Sequence, residues 1–269
     1  MKIILAPVDF SDASTNSVSF AAELSRRSSA RLVIINILQK GDDEHETKIK
    51  LKSLESELKK SFDPGLDCES LLAHGSLIPT FKKIISAQQP DLIVMGTKGA
   101  SGLKKILIGS NTVNVISNTK IPVLVIPEVA RFGNFFVKGK NRIVLATDLD
   151  SLENEDAINI LKEIALLIIE PKIRVLSVRP KSKKLSGVKR MERDLLLSFF
   201  NPEIESERVT VFSGNVIGGI NFYLSKKNSD TGLLAMIARD SGHLIQKHYT
   251  REMASHTHLP LLVLHDAKI

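Results

Sequence analysis

PDLIVMGTKGASGLKKILIGSNTVNVISNTKIPVLVI, residues 90–126, decides the fold, because it holds a strand, a loop, a helix and a second strand in one run. Asp91 to Met95 is a short apolar run of strand type, and Gly96 breaks it. Asn111 to Ser117 places Val113 and Ile116 three apart, as one buried face of a helix would. Between the two lies a glycine-rich loop. Gly96 and Gly99 stand three apart, nine residues follow, and Gly109 leads into Ser110, Asn111 and Thr112 at the expected helix start.

Without a Cβ, these glycines let backbone N–H groups press against a ligand. A helix beginning near Ser110 adds unpaired N–H groups and the positive end of its dipole. The outline is that of a phosphate site. Lys98, Lys104 and Lys105 would add charge to it, unless each is an ordinary solvated lysine, and Gly96 and Gly99 alone would equally suit a tight connection. The loop is not a Walker A sequence, since no Gly-Lys-Ser/Thr closes it, nor a dinucleotide G-x-G-x-x-G.

Outward from this stretch the chain repeats itself. His74-Gly75-Ser76 ahead of Leu77, Ile78, Phe81, Ile84 and Ile85 recurs at an offset of 139 as Ser213-Gly214-Asn215 ahead of Val216, Ile217, Ile220, Tyr223 and Leu224. The same offset carries Asp9 to Asp148 and Asp91 to Asp230, and an offset of 138 carries Pro122 to Pro260. Two copies of one domain follow. We expect domains over 1–127 and 141–269, with 128–140 as a linker whose Phe132, Phe135 and Phe136 pack on a domain surface.

In the first copy the expected strands are Ile3–Val8, Arg31–Leu38, Asp67–Ala73, the Asp91 run and Val123–Ile126. They alternate with a helix capped by Ser11, a charged helix carrying Leu51, Leu54, Leu58 and Phe62, and a helix over Leu77–Ile85. The second copy gives strands Ile143–Thr147, Ile173–Val178, Ile204–Phe212, Gly232–Ile237 and Leu261–Leu264. Its first helix is expected from about Ser151, with Ala157, Leu161, Ile164 and Ile168 inside. Val-, Ile- and Leu-rich strands alternating with helices give an α/β fold of two tandem doubly wound parallel sheets. At an offset of 139 the glycines are lost: Gly96 and Gly99 fall on Ala235 and Ala238, and Gly109 on Lys247 or His248.

The chain has 269 residues, 43% of them hydrophobic, enough to build real cores. A single cysteine excludes a disulfide framework and fits a reducing compartment, with Cys68 read as a small buried hydrophobe. The apolar part of MKIILAPVDF is too short for a signal peptide, and no run approaches membrane-spanning length, so a soluble cytoplasmic protein is expected. The net charge of +7 is spread over both halves. The densest cluster, Lys181 to Arg193, has no interleaved aromatics, which argues against nucleic acid. His256 and His258 lack acidic or cysteine companions at ligand spacing, so the C-terminal histidines read as surface groups rather than a metal site.

The G-2x-G-9x-G-(S/T) pattern at Gly96, Gly99, Gly109 and Ser110, together with the opening ILAPVDFSD, resembles the universal stress protein family. The resemblance covers the whole chain as two tandem domains, strong in the first and degenerate in the second. It implies five-stranded sheets in the order 3-2-1-4-5, Rossmann-like and similar to the adenine nucleotide α-hydrolase fold. Strands 1 and 4 then flank a topological switch, where such sheets bind ligands. It further implies that Pro7, Asp9, Ile37 and Met95 contact the adenine and ribose, and that Gly96, Gly99, Gly109, Ser110, Asn111 and Thr112 take the phosphates. ATP is the implied ligand, with or without magnesium, and Asp9 has the alternative reading of a helix cap. Pairing of IPVLVIP with LPLLVLH would make a pseudo-dimer within one chain, and a homodimer of whole chains is a further option. No catalytic constellation stands out. The expectation is a regulatory ATP-binding protein with an unnamed protein partner; a nucleotide-free scaffold and a slow ATPase or self-phosphorylating protein are the alternatives.

Overall fold

Strand and helix alternate along the chain as the apolar spacing requires. The computed structural model describes residues 1–39, 41–62, 65–97, 110–130, 141–152, 155–227, 230–239, 253 and 259–266. Two units separate, Met1–Ala130 and Arg131–Ile269. The first contains β1 (Ile3–Pro7), α1 (Asp12–Ser28), β2 (Arg31–Leu38), α2 (Glu44–Ser61), β3 (Cys68–His74), α3 (Leu77–Gln88), β4 (Leu92–Thr97), α4 (Ser110–Asn118) and β5 (Val123–Pro127). All neighbouring strands are parallel, in the order β3-β2-β1-β4-β5. That is the doubly wound order expected.

Local chemistry sets the helix ends. The Ser11 side chain accepts from the Ser14 N–H at the start of α1, and Asp43 accepts from Glu46 at the start of α2. Right-handed crossovers put α1 and α2 on one face of the sheet and α3 and α4 on the other. The central strands, covered on both faces, are apolar throughout: Ile4, Leu5, Ile93, Val94, Leu124 and Val125 are fully buried. Cys68 is buried in β3, and burial pushes its thiol up to about 12, so it behaves as a small hydrophobe. The stripe of α2 buries Leu51 and Leu58 and half-buries Leu54.

The second unit contains β6 (Arg142–Ala146), α5 (Asp156–Leu166), β7 (Lys172–Arg179), α6 (Gly187–Phe200), β8 (Glu205–Phe212), α7 (Val216–Lys227), β9 (Thr231–Arg239) and β10 (Leu261–Asp266). Its parallel order is β8-β7-β6-β9-β10, the same topology. No helix among the described residues is long and apolar enough to cross a membrane.

Four expectations need correction. Gly96 does not end its strand, since β4 runs through it to Thr97 and both pair with β5. In α4 the buried apolar residues are Val115 and Ile116, with Val113 only half-buried. The helix expected from Ser151 begins at Asp156, and Ile168, although buried, lies beyond its end. His265 is no surface histidine but a buried residue of β10, whereas His243, His248, His256 and His258 lie outside the described residues. The same holds for Phe132, Phe135 and Phe136 of the expected linker.

The ladders also correct how the two units correspond. Ile4 pairs with Leu92 in the first, and Ile143, its counterpart at the 139 offset, pairs with Leu233 in the second. At an irregularity between Arg142 and Ile143, β9 steps from Thr231 to Leu233 and admits one extra residue. From there on β9 is displaced by 141: Met95 corresponds to Met236, Gly96 to Ile237, and Thr97 to Ala238. Ala235 and Ala238 are therefore not the counterparts of Gly96 and Gly99. The Asp91/Asp230 match that suggested otherwise lies before the irregularity. There, Asp91 accepts from the N–H groups of Lys2 and Ile3, while Asp230 pairs with Arg142.

Candidate functional site

At the carboxyl end of the first sheet, β1 leaves toward α1 on one face and β4 toward α4 on the other, which opens a crevice between them. Val8 extends the β1 ladder by donating its N–H to Ile35 (2.8 Å). The chain then turns sharply at Phe10, whose φ of 61° lies in the left-handed region. Asp9 stabilises this turn. Its Oδ1 accepts from the Ser11 N–H (3.0 Å) and from the Ser11 hydroxyl (2.6 Å), so it holds the turn ahead of α1 and orients Ser11, which is the cap itself. It also borders a cavity of about 840 Å³, within the size range of small-molecule sites.

The cavity is where most of the expected residues meet. Pro7, Asp9, Ile37, Met95, Gly96, Asn111 and Thr112 all line it. Ser110 is the first residue of α4; its side chain, with Gly99 and Gly109, lies outside the described residues. Asn111 is exposed toward the opening, and the first turn of α4 brings backbone N–H groups that have no partner within the helix. Thr112 is different. It is 2% exposed, and its hydroxyl donates to the carbonyl of Gly96 (3.0 Å), which fastens α4 to the end of β4.

Gly96 has a role that its place in a loop motif did not disclose. A Cβ built there would lie 2.2 Å from the Ala13 carbonyl oxygen and 2.6 Å from the carbonyl carbon, both backbone atoms of α1. The glycine is what lets the first turn of α1 lie directly on β4. Sequence reasoning also passed over Asn36, Asp42, Asp43, Glu46 and Lys50, which line the β2–α2 side. Asn36 carried a signal, being one amide inside the apolar run LVIINIL. The carboxylates on this side serve local structure: Asp42 accepts from the Gln39 N–H (2.8 Å), Asp43 caps α2, and Glu46 pairs with Lys50 (2.5 Å).

The corresponding crevice of the second unit is filled by its own side chains. Leu149 repeats the left-handed turn of Phe10 (φ 60°), and Asp148 Oδ1 accepts from the Asp150 N–H (3.2 Å) as Asp9 does from Ser11. Arg239, the last residue of β9 and 7% exposed, lays its guanidinium across the turn. It donates to the carbonyl oxygens of Asp150 (2.5 Å) and Ser151 (2.6 Å), pairs with the buried Asp266 (2.5 Å), and lies 3.5 Å from Asp148. Lys189 reaches in from α6 to the Asp148 carbonyl and the Asp150 carboxylate, both at 2.8 Å. Burial holds the Asp148 carboxyl above its ordinary range, with Asp150 beside it acting in the same direction and Arg239 opposing. Among the described residues no group of three or more His, Cys, Asp or Glu is placed to hold a metal ion.

Comparison with known proteins matches the first unit to a family. Residues 1–127 match the model of the universal stress protein family. Universal stress protein MJ0577 of Methanocaldococcus jannaschii is 36% identical over 81 residues, which span 30% of this chain and 48% of that protein. Universal stress protein YxiE of Bacillus subtilis is 26% identical over 143 residues, covering 46% of this chain and 97% of that one. Over both units, the crystal structure of a universal stress protein from Archaeoglobus fulgidus superposes with a TM-score of 0.76, covering 98% of each chain at 18% identity, a likeness of fold. With residues 1–127 matched by the family model and the strand order repeated in the second unit, the first unit is a universal stress protein domain and the second shares its topology.

Proposed function

We propose that the first unit binds one ATP, with or without magnesium, and that occupancy of this site regulates the protein's stability or its engagement with a protein partner in the stress response of a reducing cytoplasm. One observation carries the reading: the switch-point crevice is an open cavity in the first unit, whereas in the second Arg239 lies across the matching turn. The cavity is also polarised. Its β2–α2 side presents Asp42, Asp43 and Glu46 against Lys50, which would repel a triphosphate, while the α4 side presents helix N–H groups. The nucleoside therefore belongs beside Pro7, Ile37 and Met95. The phosphates belong toward Ser110, Asn111, Thr112 and the Gly99 and Gly109 segment.

These residues fit a nucleotide better than they fit a bound ion. A magnesium ion would be held chiefly by the phosphates themselves, since Asp9 is the single carboxylate near both ends and one of its oxygens is committed to Ser11. Regulation is preferred to turnover because the lining carboxylates serve turns, caps and an ion pair, and a hydrolase needs one aimed at a water. The test is calorimetric titration of ATP into nucleotide-stripped protein. One site per chain is expected, with a stability gain of about 2.7 kcal/mol at a hundredfold excess over Kd, and Gly109→Val should abolish both. Absence of heat in the unmutated protein would refute nucleotide binding and favour an interaction scaffold.

A further inference from the structure

Asn36 sits near the end of β2 among apolar neighbours and is 9% exposed. Its Nδ2 donates to the carbonyl oxygen of Val8 at 2.8 Å. A carbonyl oxygen only accepts, so this bond fixes which way the amide faces: the NH₂ toward Val8, the oxygen away from it. Asn36 lines the cavity beside Val8 and Ile37, and its Oδ1 has no hydrogen-bond partner among the described residues. The oxygen is not sealed off from solvent, so a donor carried by a ligand in the cavity can reach it.

The neighbourhood limits what that something is. The lining here combines apolar surface from Pro7, Ile35 and Ile37 with carboxylates from α2, so it disfavours phosphate and suits a flat, uncharged ring. We propose that Asn36 determines base specificity at the nucleotide site, its Oδ1 accepting a hydrogen bond from the exocyclic 6-amino group of adenine. This rests on the nucleotide-binding reading above. A 6-oxo purine places a carbonyl oxygen at the same point, setting two acceptors face to face with both desolvated. A site built to hydrogen-bond a substrate N–H discriminates strongly against an analogue that lacks it, because its own polar group is then left unpaired.

The test compares ATP with inosine triphosphate, which replaces the 6-amino group by oxygen, and with N6,N6-dimethyl-ATP, which keeps the nitrogen but has no hydrogen to donate. Titrated into the unmutated full chain, ATP should bind at least about tenfold tighter than either analogue. Asn36→Ala should weaken ATP by about tenfold and leave inosine triphosphate within twofold, so that the preference collapses. That variant also removes the donor to Val8, so its melting temperature without ligand is measured alongside. If it fails to fold, the three-nucleotide series on the unmutated protein still decides. Equal affinity for ATP and inosine triphosphate, or an equal loss of both in Asn36→Ala, would overturn the role of Asn36 while leaving nucleotide binding intact. No heat from any of the three would bring down the site itself.

Discussion

Gly96 and Ile237 occupy the same rung of the two sheets, and the helix after the first strand of each unit registers the difference. Over Gly96, α1 begins at Asp12 with its Ala13 carbonyl in the space a Cβ would fill. Beside Ile237 the matching helix begins at Asp156, although the 139 offset places its start at Ser151. The isoleucine, 9% exposed, carries at this rung the side chain that Gly96 lacks. The segment that follows the left-handed turn at Leu149 offers the carbonyl oxygens of Asp150 and Ser151 to Arg239 instead. A missing side chain thus yields a helix terminus at the crevice, and a present one yields a turn that a guanidinium can lock. The left-handed turn and its aspartate are common to both units, so neither distinguishes a binding crevice from a filled one.

The largest expected effect tests the lock. Arg239→Met removes the guanidinium beside Asp266, whose side chain is 1% exposed, and the loss of one member of a buried pair costs about 3–5 kcal/mol. Denaturant unfolding of the full chain should show that loss in the transition of the second unit. Adding Asp266→Leu should recover much of it by removing the buried charge. The single variant should still bind only one ATP, because Ile237 still carries its side chain at the rung where Gly96 has none. A second equivalent of bound nucleotide would mean that Arg239 alone separates the two crevices.

Next comes the glycine. Gly96→Ala places a methyl group against backbone rather than a flexible side chain, so α1 must shift. We expect a loss of about 3 kcal/mol, near the upper end for overpacking, together with loss of ATP binding as the Asp9 turn moves. Unchanged stability and unchanged ATP affinity in this variant would show that α1 adjusts freely, and the contrast with Ile237 would lose its physical basis.

Much of this was legible beforehand. Strand order, tandem organisation and the meeting of Pro7, Asp9, Met95 and Asn111 at one crevice follow from periodicity, repetition and the family resemblance. The rest was hidden for identifiable reasons. The match between Asp91 and Asp230 fixed the wrong offset for β9, because the register shifts just after it, where β9 admits an extra residue, and an alignment by eye has no access to ladder register. Gly96 looked like a loop glycine because strand continuation through Thr97 depends on pairing with Ile126 and Pro127, a tertiary fact. The bond from the Thr112 hydroxyl to the Gly96 carbonyl was hidden because it spans sixteen residues of intervening chain.

The smallest expected effect concerns two serines, one on the edge strand β3 and one on the edge strand β8. Ser70 pairs in register with Ile34 and Ser206 with Ile173; because Leu32 and Ile173 hold the same rung beside Ile4 and Ile143, Ser206 corresponds to Cys68 and lies one same-face step ahead of the Ser70 position. Each ties its edge strand to the preceding helix, but Ser70 donates to the carboxylate of Glu55 (2.5 Å) and Ser206 to the neutral carbonyl of Leu197 (3.2 Å). Burial alone would raise the Glu55 carboxyl. Hydrogen bonds from Lys52, Lys59 and Ser70 outweigh it and hold the group at about 2 rather than its ordinary 4.5. A depressed carboxyl contributes stability that is full above the unfolded value and is lost as pH falls through the folded one. Both lysines are well exposed, which discounts the contribution to about 1 kcal/mol. Glu55→Gln should therefore lower the stability of the first unit by about that amount near pH 6, and the gap from the unmutated protein should close between pH 4.5 and about 2. The second unit, whose serine bonds to a neutral carbonyl that does not titrate, should show no such convergence. A gap that stayed constant across that window would mean that Glu55 acts through packing rather than charge, and the two serine contacts would then be alike.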